Sequence, residues 1–428
     1  MISTKIIAVA VVAVVAAAGA GLYLMMDKDP AKYRSSDDTG RLMIYGNANN
    51  DDYLDQEDID ALEKMIAGEI PETKYADANL DGKVDQKDLD MVKRMVKREK
   101  MTINYDYYYD GKILQGEVKY PIEKAAVVGT NVLVAMKAVG AVGKIACVSG
   151  GAIDTTLHSD IVSLPKISNS VFQANAEEVS KYPVSALITL DTASYVPNHA
   201  DFTAAGINVV RISASDGVES ISGVITLGYL FQCEDRANSY AEFCDTILNN
   251  IQSRTKDIAS ADRVTALSVT MTYYVGGTSS DYYAATQLAG ARNLADWPDR
   301  TKKFMEGEEW LLEPKYQAKY IIHVRGGEEM GYGQRTTDEI KTIWNKYSVY
   351  FTAMDAYKSG GYMILNGNMP VPVRMAYMAS IFYPDIFGAD YGEKMNQEFV
   401  DKFVDNLHSS GYDVKNGVFL IKKDMVTG

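Results

Sequence analysis

Between Glu234 and Ala259 the chain contains neither glycine nor proline, and Ala237, Tyr240, Ala241, Cys244, Ile247, Leu248 and Ile251 recur at spacings of three and four. Glu242, Asp245, Asn249, Asn250 and Gln252 fill the opposite side. Apolar residues at that period form one face of a long amphipathic helix. What surrounds the helix constrains the fold most. Residues 117–216 alternate short apolar runs with helical patterns, and a second such block starts at Arg263. The layout predicts one α/β lobe over 117–233, a stiff helix over 234–260 and a second lobe over 261–428. Two lobes on one rigid helix have little freedom to hinge.

In the first block the apolar runs Ala125–Val128, Gly143–Val148, Ala186–Leu190 and Ile207–Ile212 read as strands. In the second, Val264–Met271, Tyr320–Val324 and Tyr362–Leu365 do so, with helices at Asp281–Leu288, from Thr337, from Val373 and over about Glu393–Leu407. Runs this short and apolar, alternating with helices, predict parallel strands covered on both faces. Ligands of such sheets collect beyond the carboxyl ends of the strands.

Ahead of the lobes the chain changes character. Lys5 is followed by an uncharged run from Ile6 to Met26, long enough to span a bilayer as a helix. Asp27 and Asp29 follow it, which places the bulk of the chain outside. The competing reading is a signal peptide cleaved near Ala18 or Ala20. Either way the protein is exported: a membrane-anchored surface protein over 1–26, or a secreted one if residues 1–20 are removed. Residues 27–42 read as a linker. A net charge of −14 with no long Lys/Arg stripe argues against nucleic acid as a partner. Cys147, Cys233 and Cys244 are too few and too scattered for a disulfide framework or a thiolate metal site and read as small buried hydrophobes, with a Cys233–Cys244 bridge as the alternative.

The most specific motif lies at 43–99. Asn47, Asn49, Asp51, Tyr53, Asp55 and Asp58 recur 30 residues later as Asp77, Asn79, Asp81, Lys83, Asp85 and Asp88. Oxygen-bearing side chains at loop positions 1, 3, 5, 9 and 12 are what a hard cation with six to eight oxygen ligands needs, and Tyr53 and Lys83 would offer backbone carbonyls. Gly82 permits a sharp turn after Asp81. The first loop has Asp52 there, which tolerates positive φ less well, and starts with neutral Asn47, so it is expected to bind more weakly. The pair resembles a dockerin: two loop–helix repeats, a small all-α domain of EF-hand type with calcium in each loop. The resemblance implies two calcium sites and a cohesin-like partner. A calcium-stiffened spacer is the other reading. Residues 100–116, rich in tyrosine, read as a connector.

Over 117–428 the order of features resembles the substrate-binding proteins of ABC importers for iron–siderophore, haem and cobalamin, the class with a rigid interlobe helix. The matching stretches are Asn175–Leu190, Ala205–Val210, Gly277-Thr278 with Gly290–Asn293, and Tyr377–Phe387. The resemblance implies two Rossmann-like lobes, no catalytic step, an ABC permease partner and a ligand that is an iron chelate, haem or corrinoid. The strand-end rule then places Thr192, Tyr195 and Ser213 opposite Tyr273, Tyr274, Thr278, Arg325 and Arg374. Tyrosine supplies flat apolar faces with polar tips for a large conjugated ligand. Arginine pairs with the ligand's carboxylates or catecholates. His158, His199, His323 and His408 show no metal-ligand spacing and read as surface residues, with His158 and His199 the candidates for a bare-metal site. No G-x-S-x-G elbow or Walker A loop is present. The alternative from another class is a cell-surface scaffold or adhesion protein that docks a partner through the calcium repeats.

Overall fold

The computed structural model describes residues 41–427, apart from 111, 152, 215, 216, 218 and 305–308. The expected membrane span or signal peptide at 1–26 and most of the 27–42 linker lie outside these residues. No helix among the described residues is long and apolar enough to cross a membrane.

Each repeat forms a loop running into an 11-residue helix, α1 (Gln56–Ile66) and α2 (Gln86–Val96). The same acidic residues that mark the loops start the helices. Asp55 and Asp85 are N-caps, and Asp58 and Asp88 close capping boxes by accepting the cap residue's own N–H. The tyrosine-rich segment is more than a connector. It forms one arm of a hairpin, β1 (Met101–Tyr109) paired antiparallel with β2 (Lys112–Tyr120). That ribbon lies beside β7 (Asn208–Ile212) and ties to it through Asn208, whose side chain accepts from Lys119 N–H and donates to Glu117 O. Its tip reaches further: Asp110 N–H donates to Asp191 O at 2.9 Å, and Asp110 Oδ1 accepts from Ala193 N–H at 3.0 Å.

The first lobe is a parallel sheet in the order β5-β4-β3-β6-β7, with β3 Ala125–Val127, β4 Ile145–Ser149, β5 Lys166–Ser168 and β6 Ala186–Leu190. Helix α3 (Thr130–Ala138) follows β3. The second lobe departs from the all-parallel expectation. Its centre, β8 (Thr265–Thr270), β12 (Tyr320–Arg325) and β13 (Tyr362–Asn366), is parallel. β9 (Tyr274–Gly276) and β14 (Leu420–Ile421) run antiparallel to it, β11 (Thr301–Lys303) pairs antiparallel with β9, and the short β10 (Arg292–Asn293) pairs with β8. Edge strands this short carry no alternation to read, so only the central strands are visible in sequence.

Two helices run together between the lobes. The first, α4 (Glu219–Phe231), falls in a stretch that the apolar pattern leaves unassigned. It is apolar on nearly every side because nearly every side is buried, so periodicity is lost. The second, α5 (Glu234–Thr255), is the predicted spine. Its apolar stripe, Ala237 through Ile251, is buried against α4, α8 (Val371–Phe382) and α9 (Tyr391–Phe403). Between α5 and α8 in sequence lie α6 (Asp281–Leu288) and α7 (Thr337–Ser348).

The approach of α4 to α5 depends on Gly228, where an added Cβ would sit 2.2 Å from the Ala237 Cβ. A mid-helix Gly→Ala change ordinarily stabilises by about 1 kcal/mol. Here the overlap reverses the sign: Gly228→Ala is expected to cost about 1–3 kcal/mol in denaturant unfolding. A midpoint unchanged or raised would show that the helices can separate freely.

Candidate functional site

The carboxyl ends of the parallel strands face each other across the boundary between the lobes. Asp154, beyond β4, crosses that boundary: its Oδ2 accepts from Tyr332 N–H at 2.7 Å, while Oδ1 accepts from Thr156 and Leu157 N–H within its own lobe. Burial raises its carboxyl above the usual range, and the three N–H donors pull it back. Lys137 of α3 reaches Asn406 of the second lobe at 2.9 Å and Asp160 of its own at 2.6 Å. Gly217 sits so close to α6 and α8 that a Cβ there would meet Leu288 at 2.9 Å and Met375 at 3.3 Å.

A groove of about 790 Å³ opens beside Asp154, lined among others by Thr156, Glu328, Arg335, Asp338 and Lys346; none of the eight predicted cleft residues lines it. That size suits a small-molecule ligand. Arg335 is oriented there by donating to the backbone carbonyls of Glu328, Glu329 and Gln334. Nearer the spine the lobes pack tightly, leaving about 20 Å³ beside Tyr240, Ser220 and Met369, room for one water.

The eight predicted cleft residues divide into two groups. Tyr195 and Arg374 converge on the interlobe boundary. The Tyr195 ring covers Gly129 at the start of α3 and packs edge-on against Phe172 at 4.9 Å. Burial pushes its hydroxyl up to about 12, helped by Tyr282 and Asp281 of the opposite lobe. Arg374 is 5% exposed, and among the described residues its Nε has no hydrogen-bond partner and its guanidinium forms no ion pair. Burial raises the hydroxyls of Tyr240 and Tyr282, and Arg374 is a nearby charge that pulls both back down.

The others are engaged within their own lobes. Thr192 bonds the Ser194 hydroxyl at 3.2 Å, and buried Ser213 reaches Glu219 at 3.5 Å. Tyr273 and Tyr274 stack on each other at 5.4 Å, and Thr278 donates to Trp297 O. Arg325 lies over the Tyr347 ring at 4.4 Å and pairs with Glu329 at 3.4 Å. The residues that the sequence reading did not name for the cleft are Asp154 and Tyr240. Asp154 follows the Gly150-Gly151 turn after β4, so the strand-end rule could have found it. Tyr240 reads as an ordinary core position of the spine.

The histidines correct their expectation. His158 and His323 are buried, not on the surface, and burial pushes both down to about 3. His323 bonds the Tyr362 hydroxyl and Met271 O, a core network with no free ligand position. The three thiols are free.

In the acidic loops the side-chain oxygens take up backbone N–H groups of the loops themselves. Asp77 takes the N–H groups of Asp81 and Gly82 on its two oxygens, and Asn79 Oδ1 also accepts from Asp81 N–H. Asn47 and Asn49 accept in the same way from Asp51 N–H. Asp58 and Asp88 close the loops by accepting from Asn49 and Asn79 N–H. Burial pushes the Asp58 carboxyl up to about 7, with Asp51 and Asp55 adding to the rise against the backbone donors. No three His, Cys, Asp or Glu side chains cluster as a metal group among the described residues. Lys87 holds one Asp81 oxygen at 2.8 Å.

The turn expectation is corrected as well. The first loop does not ask Asp52 for positive φ; both loops place that strain two residues earlier, at Asn50 (φ 58°) and Leu80 (φ 57°), and only the second adds Gly82 (φ 87°). Asp52 is used differently. Its carboxylate accepts from Arg41 N–H at 2.7 Å and from the Arg41 guanidinium at 3.0 Å, and that guanidinium also grips both oxygens of Asp245 on α5. Burial raises the Tyr53 hydroxyl, and Glu242 and Asp235 of α5 add to the rise.

No protein-family model matches the chain, and no curated protein does. Solved structures do. A TroA-like periplasmic binding protein, FepB, from Veillonella parvula superposes with a TM-score of 0.55 at 16% identity, covering 74% of this chain and 99% of its own. An ABC-transporter solute-binding protein from Sulfurospirillum deleyianum gives 0.53 at 15% identity, covering 71% and 98%. CeuE of Helicobacter pylori, solved as its Ni-His complex, gives 0.53 at 13% identity, covering 72% and 99%. The mixed α/β fold is therefore that of the TroA-like periplasmic binding proteins.

Proposed function

We propose that this chain is an extracytoplasmic solute-binding protein, tethered to the membrane by residues 6–26, that holds an iron chelate, haem or corrinoid between its lobes and delivers it to an ABC permease. The observation that carries the ligand class is Arg374. A guanidinium nine-tenths removed from water, with no ion pair among the described residues, is poised for an anionic group brought by a ligand. Tyr195 and Tyr282 supply aromatic surface on either side of the boundary. Binding without chemistry suits this arrangement, and the fold likeness to solute-binding proteins supports it. Calorimetry or tryptophan fluorescence with ferric siderophores, haem and cobalamin tests the reading, together with the mass and absorbance of whatever copurifies. If none of the three classes binds, the scaffold alternative stands in its place.

The reading includes two calcium ions, held by Asn47, Asn49, Asp51, Asp55 and Asp58 and by Asp77, Asn79, Asp81, Asp85 and Asp88, with the carbonyls of Tyr53 and Lys83. The repeat of donor geometry in both loops supports this. Calcium titration of the whole protein is expected to resolve two phases, and Asp77→Ala with Asp81→Ala to remove the tighter. A single phase unaffected by the double substitution would contradict the assignment. Docking of a cohesin-like partner finds less support, because the first loop already lies against α5.

A further inference from the structure

The first acidic loop does not hang free of the binding lobes. Asp235, Asn238, Glu242 and Asp245 fall on one stripe of α5, at the three- and four-residue spacings that share a helix face. The loop meets that stripe at Asp52: Asn238 Nδ2 is 3.5 Å from Asp52 O, and Arg41 holds the Asp52 and Asp245 carboxylates together. Two acidic surfaces meeting in this way repel. Arg41 is the cation set between them, with its side chain 16% exposed and those of Asp52 and Asp245 10% and 16%. Charges this sheltered are screened weakly by salt, so one arginine among several carboxylates leaves a net repulsion that a second cation would relieve. Nearby, Met43 N–H donates to Thr226 of α4 at 3.3 Å and Arg98 pairs with Glu234 at 3.4 Å. Residues of α1 and α2 share one continuous core with α4 and α5.

We propose that the partner of the first calcium loop is this chain's own interlobe helix, so that calcium bound there braces the whole ligand-binding body through Arg41. This rests on the calcium reading above and goes beyond it. A loop that only ordered residues 43–99 would leave the lobes indifferent to calcium. A loop wedged onto the spine makes calcium a stabilising ligand of the lobes themselves.

All three tryptophans, Trp297, Trp310 and Trp344, belong to the second lobe, so their fluorescence reports unfolding far from the loops. In the full chain, saturating calcium is expected to raise the tryptophan-detected midpoint by about 3 °C over the chelator-treated protein. Arg41→Ala and, separately, Asp245→Asn should still bind calcium by calorimetry but lose at least about half of that shift. Asp77→Ala with Asp81→Ala, which disables only the second loop, should keep it. Calcium binding with no movement of the tryptophan midpoint overturns the brace while leaving the calcium sites intact, as does a full shift in both spine variants. Absence of any calcium binding removes the sites, and the brace with them.

Discussion

Arg374→Ala is expected to weaken binding of the cognate ligand by about 30- to 1000-fold, the loss of one buried charge-assisted contact worth on the order of 2–4 kcal/mol. Arg325→Ala is expected to cost less than about tenfold, because Arg325 already spends its charge on Glu329 and the Tyr347 ring. The two arginines look equivalent at the level of strand ends. The ion pair separates them: Arg374 is buried without a counter-ion among the described residues, and Arg325, at the end of the central strand β12, has Glu329 at 3.4 Å. A second measurement guards the interpretation. A buried guanidinium with no ion pair among the described residues destabilises the unliganded protein, so Arg374→Met should leave the melting temperature of the free protein unchanged or raised while binding is lost. Tight ligand binding by Arg374→Ala would remove the anionic-ligand reading.

The largest effect on stability is expected from Phe403→Ala, at about 3–5 kcal/mol in denaturant unfolding. Phe403 is 2% exposed and sits where α9 of the second lobe meets the spine. Its ring stands edge-on to Tyr240 at 5.2 Å and lies near Phe243 and Phe399 at 5.5 and 6.2 Å. Removing it opens a cavity walled by rigid rings that cannot collapse to fill it, which puts the cost at the upper part of the range for aromatic truncation. The same junction fixes the angle between the spine and the second lobe, so the variant should also bind ligand less tightly at temperatures well below its unfolding. A loss under about 1 kcal/mol would show that α9 can repack against α5.

What the sequence determined by itself is whatever short-range pattern encodes. The spine is legible because Ala237 to Ile251 repeats at the period of a helix, and the acidic loops are legible because Asp55-x-x-Asp58 and Asp85-x-x-Asp88 cap helices locally. The central strands β3, β6, β8, β12 and β13 are legible as short apolar runs for the same reason. Only the tertiary structure decided the rest. Helix α4 lost its periodicity to burial on all sides, and the hairpin's role became visible only when Asp110 was found at the end of β6. His158 and His323 read as surface residues until the packing buried them. The difference between Arg374 and Arg325, and the meeting of Asp52 with Asp245 through Arg41, depend on groups up to some two hundred positions apart. Periodicity is a property of neighbours along the chain, whereas burial and the presence of a counter-charge are properties of neighbours in space.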